Sequence, residues 1–259
     1  MQLSIQAEFG LAEVLRIRPG EMVGLVGAGG KTTSLYGIAS ELHRRGLTVI
    51  ATATTHLQTP RTSTTMPPLV VLAEEANWRH TVKSRIERYG CATVVGERIR
   101  KDKLRGLDPS QAEELSALPD CVVLEADGAR GRSLKAPATH EPVLPEATTL
   151  TVILASLDAL DMPLDTRIVH RLEVVTELTG ATPGARITED LVARTLAHGY
   201  LPRVPPRSRA VFFLNKAFDS RFEQAETTAK RLLLAGAREV IFGQAILPND
   251  CFYRMTSGS

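Results

Sequence analysis

The sequence predicts an α/β fold, a mostly parallel sheet covered by helices on both faces, from three observations. Eight short runs of apolar and β-branched residues recur along the chain, each apolar throughout, as strands buried on two faces must be. Polar or glycine-containing loops and segments of helical period separate the runs. The length of 259 residues suits one large core, so a single domain over 1–259 is expected.

The strand runs occupy residues 22–26, 48–53, 69–72, 92–95, 121–124, 149–154, 210–214 and 240–242. Between the first two, Leu35, Ile38, Ala39 and Leu42 share one face of a helix, and Gly46 supplies its stop. Further helices are expected over 74–89, 110–118, 167–178, 189–197 and 221–234. Thr188 suits an N-cap for the helix over 189–197, because its hydroxyl can accept from first-turn amides and Glu189 and Asp190 favour the positive end of the helix dipole. The helices between about 156 and 200 read as a helical insertion within the one domain, and the tail 255–259 reads as flexible.

Composition narrows the function. No stretch reaches the ~18 uninterrupted apolar residues of a membrane span, and the first residues lack the basic, apolar and small-residue order of an export signal. A cytoplasmic protein without a membrane partner is expected. Cys91, Cys121 and Cys251 are too few and too scattered for a disulfide framework or a paired metal site; the first two read as core residues and Cys251 alone as a candidate for reactivity. A net charge of +2 gives no reason to expect a nucleic-acid partner, and the basic run over 98–105 reads as a solvated face.

The strongest local signal is Gly27-Ala28-Gly29-Gly30-Lys31-Thr32-Thr33, which follows an apolar strand and opens a helix. Glycines let backbone amides approach phosphate oxygens, the helix start offers unpaired N–H groups, Lys31 can reach β- and γ-phosphates, and Thr32 can ligate Mg²⁺. This is a phosphate-binding loop, and it makes the fold P-loop NTPase-like. The usual eight-residue spacing would require glycine where Leu25 stands. The match is to a shortened G-x-x-G-K-T form that resembles the loop of Mur-type amide-forming ligases.

A second signal is the strand over 121–124 ending in Glu125-Ala126-Asp127-Gly128. Residues i and i+2 of a strand face one way, so both carboxylates are expected at the strand's carboxyl end, where open α/β sheets bind ligands. Asp127 is assigned to Mg²⁺ together with Thr32, and Glu125 to orienting the attacking water, with Lys31 completing the catalytic set. Arg130, Arg132 and Lys135 are candidates for phosphate charge or an anionic substrate. Thr55 and His56, after the second strand, are candidates for sensing the γ-phosphate or metal, and His140 is a further candidate for chemistry. Late in the chain, Asn215-Lys216 ends a strand as in the Asn-Lys-x-Asp of guanine readers, but Phe218 holds the acid's place and Asp219 comes one residue late. GTP is therefore favoured only modestly over ATP.

Together these pieces resemble the YqeC-type family of accessory proteins of selenium-dependent molybdenum hydroxylases. The stretches that carry the resemblance are Val26 to Thr33, Thr52-Ala53-Thr54-Thr55-His56, Glu125-Ala126-Asp127-Gly128-Ala129, Lys135-Ala136-Pro137 through His140-Glu141-Pro142 to Pro145, and Leu214-Asn215-Lys216. The resemblance implies a P-loop nucleotide-binding protein that assists maturation of a molybdenum cofactor or of a selenium-dependent hydroxylase, with that cofactor or hydroxylase as partner.

The leading expectation is an Mg²⁺-dependent NTPase using GTP or ATP. Its alternatives are an ATP-dependent ligase or kinase acting on a small acidic substrate, and a non-hydrolysing nucleotide- or cofactor-binding chaperone. Two converging carboxylates beside phosphates are costly without a metal, which argues against pure binding.

Overall fold

In a computed structural model, residues 6–58, 69–101, 103–245 and 251–257 are described. Their centre is a ten-stranded sheet. Its strands are β1 (Gln6–Phe9), β2 (Met22–Gly27), β3 (Val49–Ala53), β4 (Leu69–Val71), β5 (Cys91–Val95), β6 (Cys121–Glu125), β7 (Leu150–Ser156), β8 (Arg209–Asn215), β9 (Glu239–Gly243) and β10 (Cys251–Thr256). They lie side by side as β4-β5-β3-β6-β2-β7-β8-β9-β10-β1. All neighbours from β4 to β9 pair in parallel, while β10 pairs antiparallel with β9 and β1.

The parallel strands are those the apolar runs predict. Their side chains divide by alternation: Val122 and Leu124 of β6 pack into the core on one face, Cys121 and Val123 into the core on the other. Helices cover both faces. The short α1 (Leu11–Val14) and α2 (Lys31–Arg44) lie on the second face, where Leu35, Ile38, Ala39 and Leu42 are all buried. The first face carries α3 (Trp78–Tyr89), α4 (Pro109–Leu115), α5 (Leu172–Thr179), α6 (Glu189–Tyr200) and α7 (Phe222–Leu234). Thr188 caps α6 as expected, accepting from the Leu191 amide at 3.3 Å.

Residues between β7 and β8 form a crossover rather than a separate layer: Leu157, Leu164, Val175, Leu196 and Tyr200 are buried in the same cluster as strand residues Val26 and Leu124. The helix expected from residue 167 starts only at Leu172. Arg171 stands before it at φ 64, a left-handed backbone that interrupts the helical path. Upstream, Val169–His170 is a short strand parallel to Leu134–Lys135. The C-terminal tail also differs from expectation, since β10 runs to Thr256. Met255 is fully buried, and the buried Arg254 guanidinium pairs with Glu8 and, at 3.2 Å, with Glu239. A three-stranded patch joins His56–Gln58, Lys103–Arg105 and Glu97–Arg100, so part of the basic run is an antiparallel hairpin. No helix among the described residues is long and apolar enough to cross a membrane.

This topology sets the site. The chain leaves β2 for β3 on one side, passing over β6, and later adds β7 and β8 on the other side. The carboxyl ends of β2, β3, β6, β7 and β8 meet at that reversal, where a crevice opens in parallel sheets.

Candidate functional site at the carboxyl ends of the parallel strands

The glycine-rich turn follows β2 directly and passes into α2. Gly27 and Gly29 have φ 95 and 79, backbone that side chains rarely adopt. There is also no room for a side chain. A Cβ at Gly27 would lie 2.2 Å from the Leu154 carbonyl oxygen, and one at Gly29 would lie 2.4 Å from the Ser156 nitrogen. The turn is thus pressed onto the end of β7, and the Ala28 amide bonds Leu154 O at 2.9 Å. Gly30 stands before the first turn of α2 without a side-chain cap, as an anion-binding helix start requires.

Lys31 folds back over the turn. Its ammonium donates to Gly27 O at 2.7 Å and faces Asp127 Oδ1 at 3.3 Å, leaving a third N–H for a ligand. Thr32 and Thr33 are exposed in the cleft. That cleft, ≈ 790 Å³, is lined by Gly29 to Thr33, by Thr55 and His56 after β3, by Glu125 of β6, by Arg130 and Arg132, and by Asn215 and Lys216 at the end of β8. Sequence-predicted residues from four separate segments of the chain therefore share one wall system.

Glu125 and Asp127 divide differently from the sequence expectation. Glu125 lines the cleft and its Oε1 is buried with no hydrogen-bond partner. Burial pushes its carboxyl up, against the opposing pull of the Lys31 charge and the Thr32 hydroxyl. Asp127, expected to hold the metal, does not line the cleft and is 1% exposed. Both its oxygens accept from the Gly27 amide at 3.1 Å, and Oδ2 also accepts from Tyr200 Oη and Lys135 Nζ, each at 2.9 Å. With its lone pairs so occupied, Asp127 is an anchor beneath the turn and has no free oxygen directed at the cleft.

Lys135, expected to meet an anionic substrate, is corrected on the same ground. It is fully buried, and its three N–H donors are consumed by Gly128 O at 2.7 Å and by Asp127 Oδ2 and Glu141 Oε2 at 2.9 Å. Glu141 in turn grips Arg171 at 3.0 and 3.2 Å. Burial alone would raise Glu141, but hydrogen bonds from Arg171 and Lys135, the Lys135 charge and the Ala138 amide outweigh it and bring its carboxyl down to about 2. Charges thus alternate from Lys31 through Asp127, Lys135 and Glu141 to Arg171. Sequence reasoning missed Tyr200, Glu141 and Arg171. Glu141 sits in the His-Glu-Pro motif beside the named His140, whereas Tyr200 carries no local signal at all.

The remaining candidates separate as well. His140 is exposed and lies outside the cleft lining. His56 lines the cleft, and its imidazole is held below its ordinary value by partial desolvation and then by Lys103 and Arg105. Asn215 is 3% exposed and acts as a clamp: Nδ2 donates to Gly29 O at 2.8 Å, while Oδ1 accepts from Lys216 N at 2.8 Å and Ala245 N at 3.1 Å. Lys216, at φ 60, pairs with Asp158. The side chain of Asp219 lies outside the described residues. Cys91 and Cys121 are buried as expected, and burial pushes both thiols up. No group of three or more His, Cys, Asp or Glu side chains that could hold a metal occurs among the described residues.

Residues 23–173 match the model of the YqeC protein family, a span holding the turn, Glu125, Asp127, Lys135 and Glu141. The chain belongs to the YqeC family. It is 32% identical over 209 residues to the uncharacterized protein YqeC of Escherichia coli (strain K12), across 79% of this chain and 77% of that protein. Among solved structures it is similar to chloroplast FtsY from Physcomitrella patens, at 14% identity and a TM-score of 0.43, over 86% of this chain and 59% of that one. The chain thus spans somewhat under two thirds of FtsY. In this YqeC-family chain the residues shared between turn, anchor and buried ion-pair chain all come from the matched span except Tyr200.

Proposed function

We propose that this chain binds an Mg²⁺–nucleoside triphosphate in the cleft and hydrolyses it. The observation that carries the reading is the buried, unpartnered Oε1 of Glu125, beside the exposed Thr32 at the start of α2. A carboxylate oxygen buried without a donor is unfavourable alone and is satisfied by a cation. Thr32 and Glu125 are the residues that would hold Mg²⁺, the hydroxyl from the turn and the acid from the adjacent strand, replacing Asp127 in that role. Mg²⁺ would supply charge neutralisation at the β- and γ-phosphate oxygens.

The chain's own groups do the rest. Amides of the 27–33 turn and the start of α2 cradle phosphate oxygens, and the Lys31 ammonium meets the terminal phosphates. Asp127 keeps the turn in shape from below. Thr55 and His56 line the same cleft, where a hydroxyl and an imidazole can orient an attacking water. We place this activity in maturation of a molybdenum cofactor or a selenium-dependent hydroxylase, the context that the family resemblance implies.

The test is phosphate release from GTP and from ATP across an Mg²⁺ titration, for the wild type and Glu125→Gln. The reading expects hydrolysis by the wild type and, in the variant, an Mg²⁺ midpoint raised by roughly tenfold, the scale of one lost charge-assisted ligand. An unchanged midpoint and rate would remove Glu125 from the metal. Binding without turnover, with or without a hydroxylase partner, would leave a non-hydrolysing chaperone instead.

A further inference from the structure

Beside the nucleotide cleft lies a second pocket of ≈ 320 Å³, and Arg130, Arg132, His170 and Arg171 line both. The two spaces therefore share a basic wall. We propose that this pocket binds a second ligand, a small molecule bearing a phosphate monoester, next to the terminal phosphate of the nucleotide. The proposal rests on the reading of the main cleft as a triphosphate site.

Charge is the first argument. Among the described residues, Arg130 and Arg132 form no ion pair, and Glu173 is the acid on the pocket's wall. Arg171 is held in place by Glu141 at both oxygens, a pairing that fixes the guanidinium's plane. The His170 imidazole is held below its ordinary value by burial and then by Lys135, Arg171 and Arg130, with Glu141 opposing, which registers the positive field at this wall. Three guanidinium groups around one small space suit a dianionic tetrahedral group, which offers several oxygens, better than a carboxylate, which offers two.

Backbone geometry gives the second argument. Arg130 and Arg171 hold left-handed φ values of 49 and 64, and both strained residues present their side chains to this one wall. Arg171 stands at the start of α5 and gives that helix no side-chain cap, and Leu172 and Glu173 of its first turn line the pocket. Size gives the third. A space of ≈ 320 Å³ accepts a small molecule and excludes a polymer. The alternating chain Lys31–Asp127–Lys135–Glu141–Arg171 ties this wall to the phosphate turn, so the two ligands would share one rigid support.

The test is calorimetric titration with inorganic phosphate and, separately, with succinate. In one arm the nucleotide cleft is first saturated with Mg²⁺ and a non-hydrolysable triphosphate analogue. Phosphate is expected to bind that complex, and the double variant Arg130→Ala/Arg132→Ala is expected to weaken it by about tenfold or more, with the affinity of the analogue, which also meets this shared wall, falling by a clearly smaller factor. In the other arm Lys31→Ala protein without nucleotide is titrated; phosphate binding should persist there and disappear when the two arginines are also removed. No phosphate binding in either arm, binding indifferent to the arginines, succinate bound as tightly as phosphate, or an equal loss of analogue affinity would each overturn the proposal. Failure of the analogue to bind would instead overturn the nucleotide reading, and the Lys31→Ala arm would still decide the second site.

Discussion

The Asp127 carboxylate takes the Gly27 amide on both of its oxygens, each at 3.1 Å, and so fastens the glycine-rich turn to the end of β6. Lys135 and Tyr200 complete the anchor from the opposite side, inside the core. Asp127→Asn would place an amide NH₂ among donors and leave Lys135 buried with one acidic partner fewer. A loss of about 3–5 kcal/mol is expected, the range for breaking a buried pair from one side. Urea unfolding of the two proteins measures it, and superimposable transitions would show that Asp127 carries no such load.

Glu141 gives the anchor a pH signature. Its carboxyl falls from the ordinary 4.5 to about 2 in the folded chain. A depressed folded value stabilises the fold above the unfolded value, and the contribution is lost as pH falls from about 4.5 towards 2. Its size is on the order of 3 kcal/mol. Stability measured over that window should fall more steeply for the wild type than for Glu141→Gln. Parallel curves would mean that Glu141 is not held by Arg171 and Lys135 in solution.

The fold was largely legible because buried parallel strands need apolar side chains on both faces. Runs such as 121–124 and 210–214 therefore read as strands without any tertiary knowledge. Strand β10 did not, since its pattern includes Arg254, whose burial makes sense only once Glu8 and Glu239 are beside it. The glycine-rich turn between β2 and α2 was legible because its residues are contiguous. The division of labour between Glu125 and Asp127 was not: period two along a strand puts both on one side, but Asp127 lies past the end of β6, and its partners Gly27, Lys135 and Tyr200 come from distant segments. Lys135 shows the same limit, for nothing local reveals that a lysine in a motif has every donor taken.

Base selection tests Asn215 against Asp219. Asn215 Oδ1 is already occupied by Lys216 N and Ala245 N, so this carbonyl does not read a base edge. Discrimination for guanine must then come from an acid that accepts from its N–H donors, and Asp219 is the candidate. Asp219→Ala should abolish a modest GTP preference, bringing the GTP-to-ATP affinity ratio from a few-fold to about one. Competition binding in which the wild type already treats both alike would remove guanine preference from the account.

The central claim, that the turn over 27–33 holds a triphosphate, is tested most directly by calorimetric titration of the wild type and Lys31→Ala with Mg²⁺–GTP and Mg²⁺–ATP, with thermal melts of both proteins. Lys31 contributes one free N–H towards the cleft, and Asp127 retains Lys135 as partner when it is removed. The account predicts triphosphate binding by the wild type, a loss of about 2–3 kcal/mol of binding energy in the variant, the scale of a charge-assisted contact, and a single cooperative melt in both proteins, lowered in the variant because Asp127 loses one of its two buried cationic partners. Equal triphosphate binding by both proteins, or none by the wild type, would contradict it.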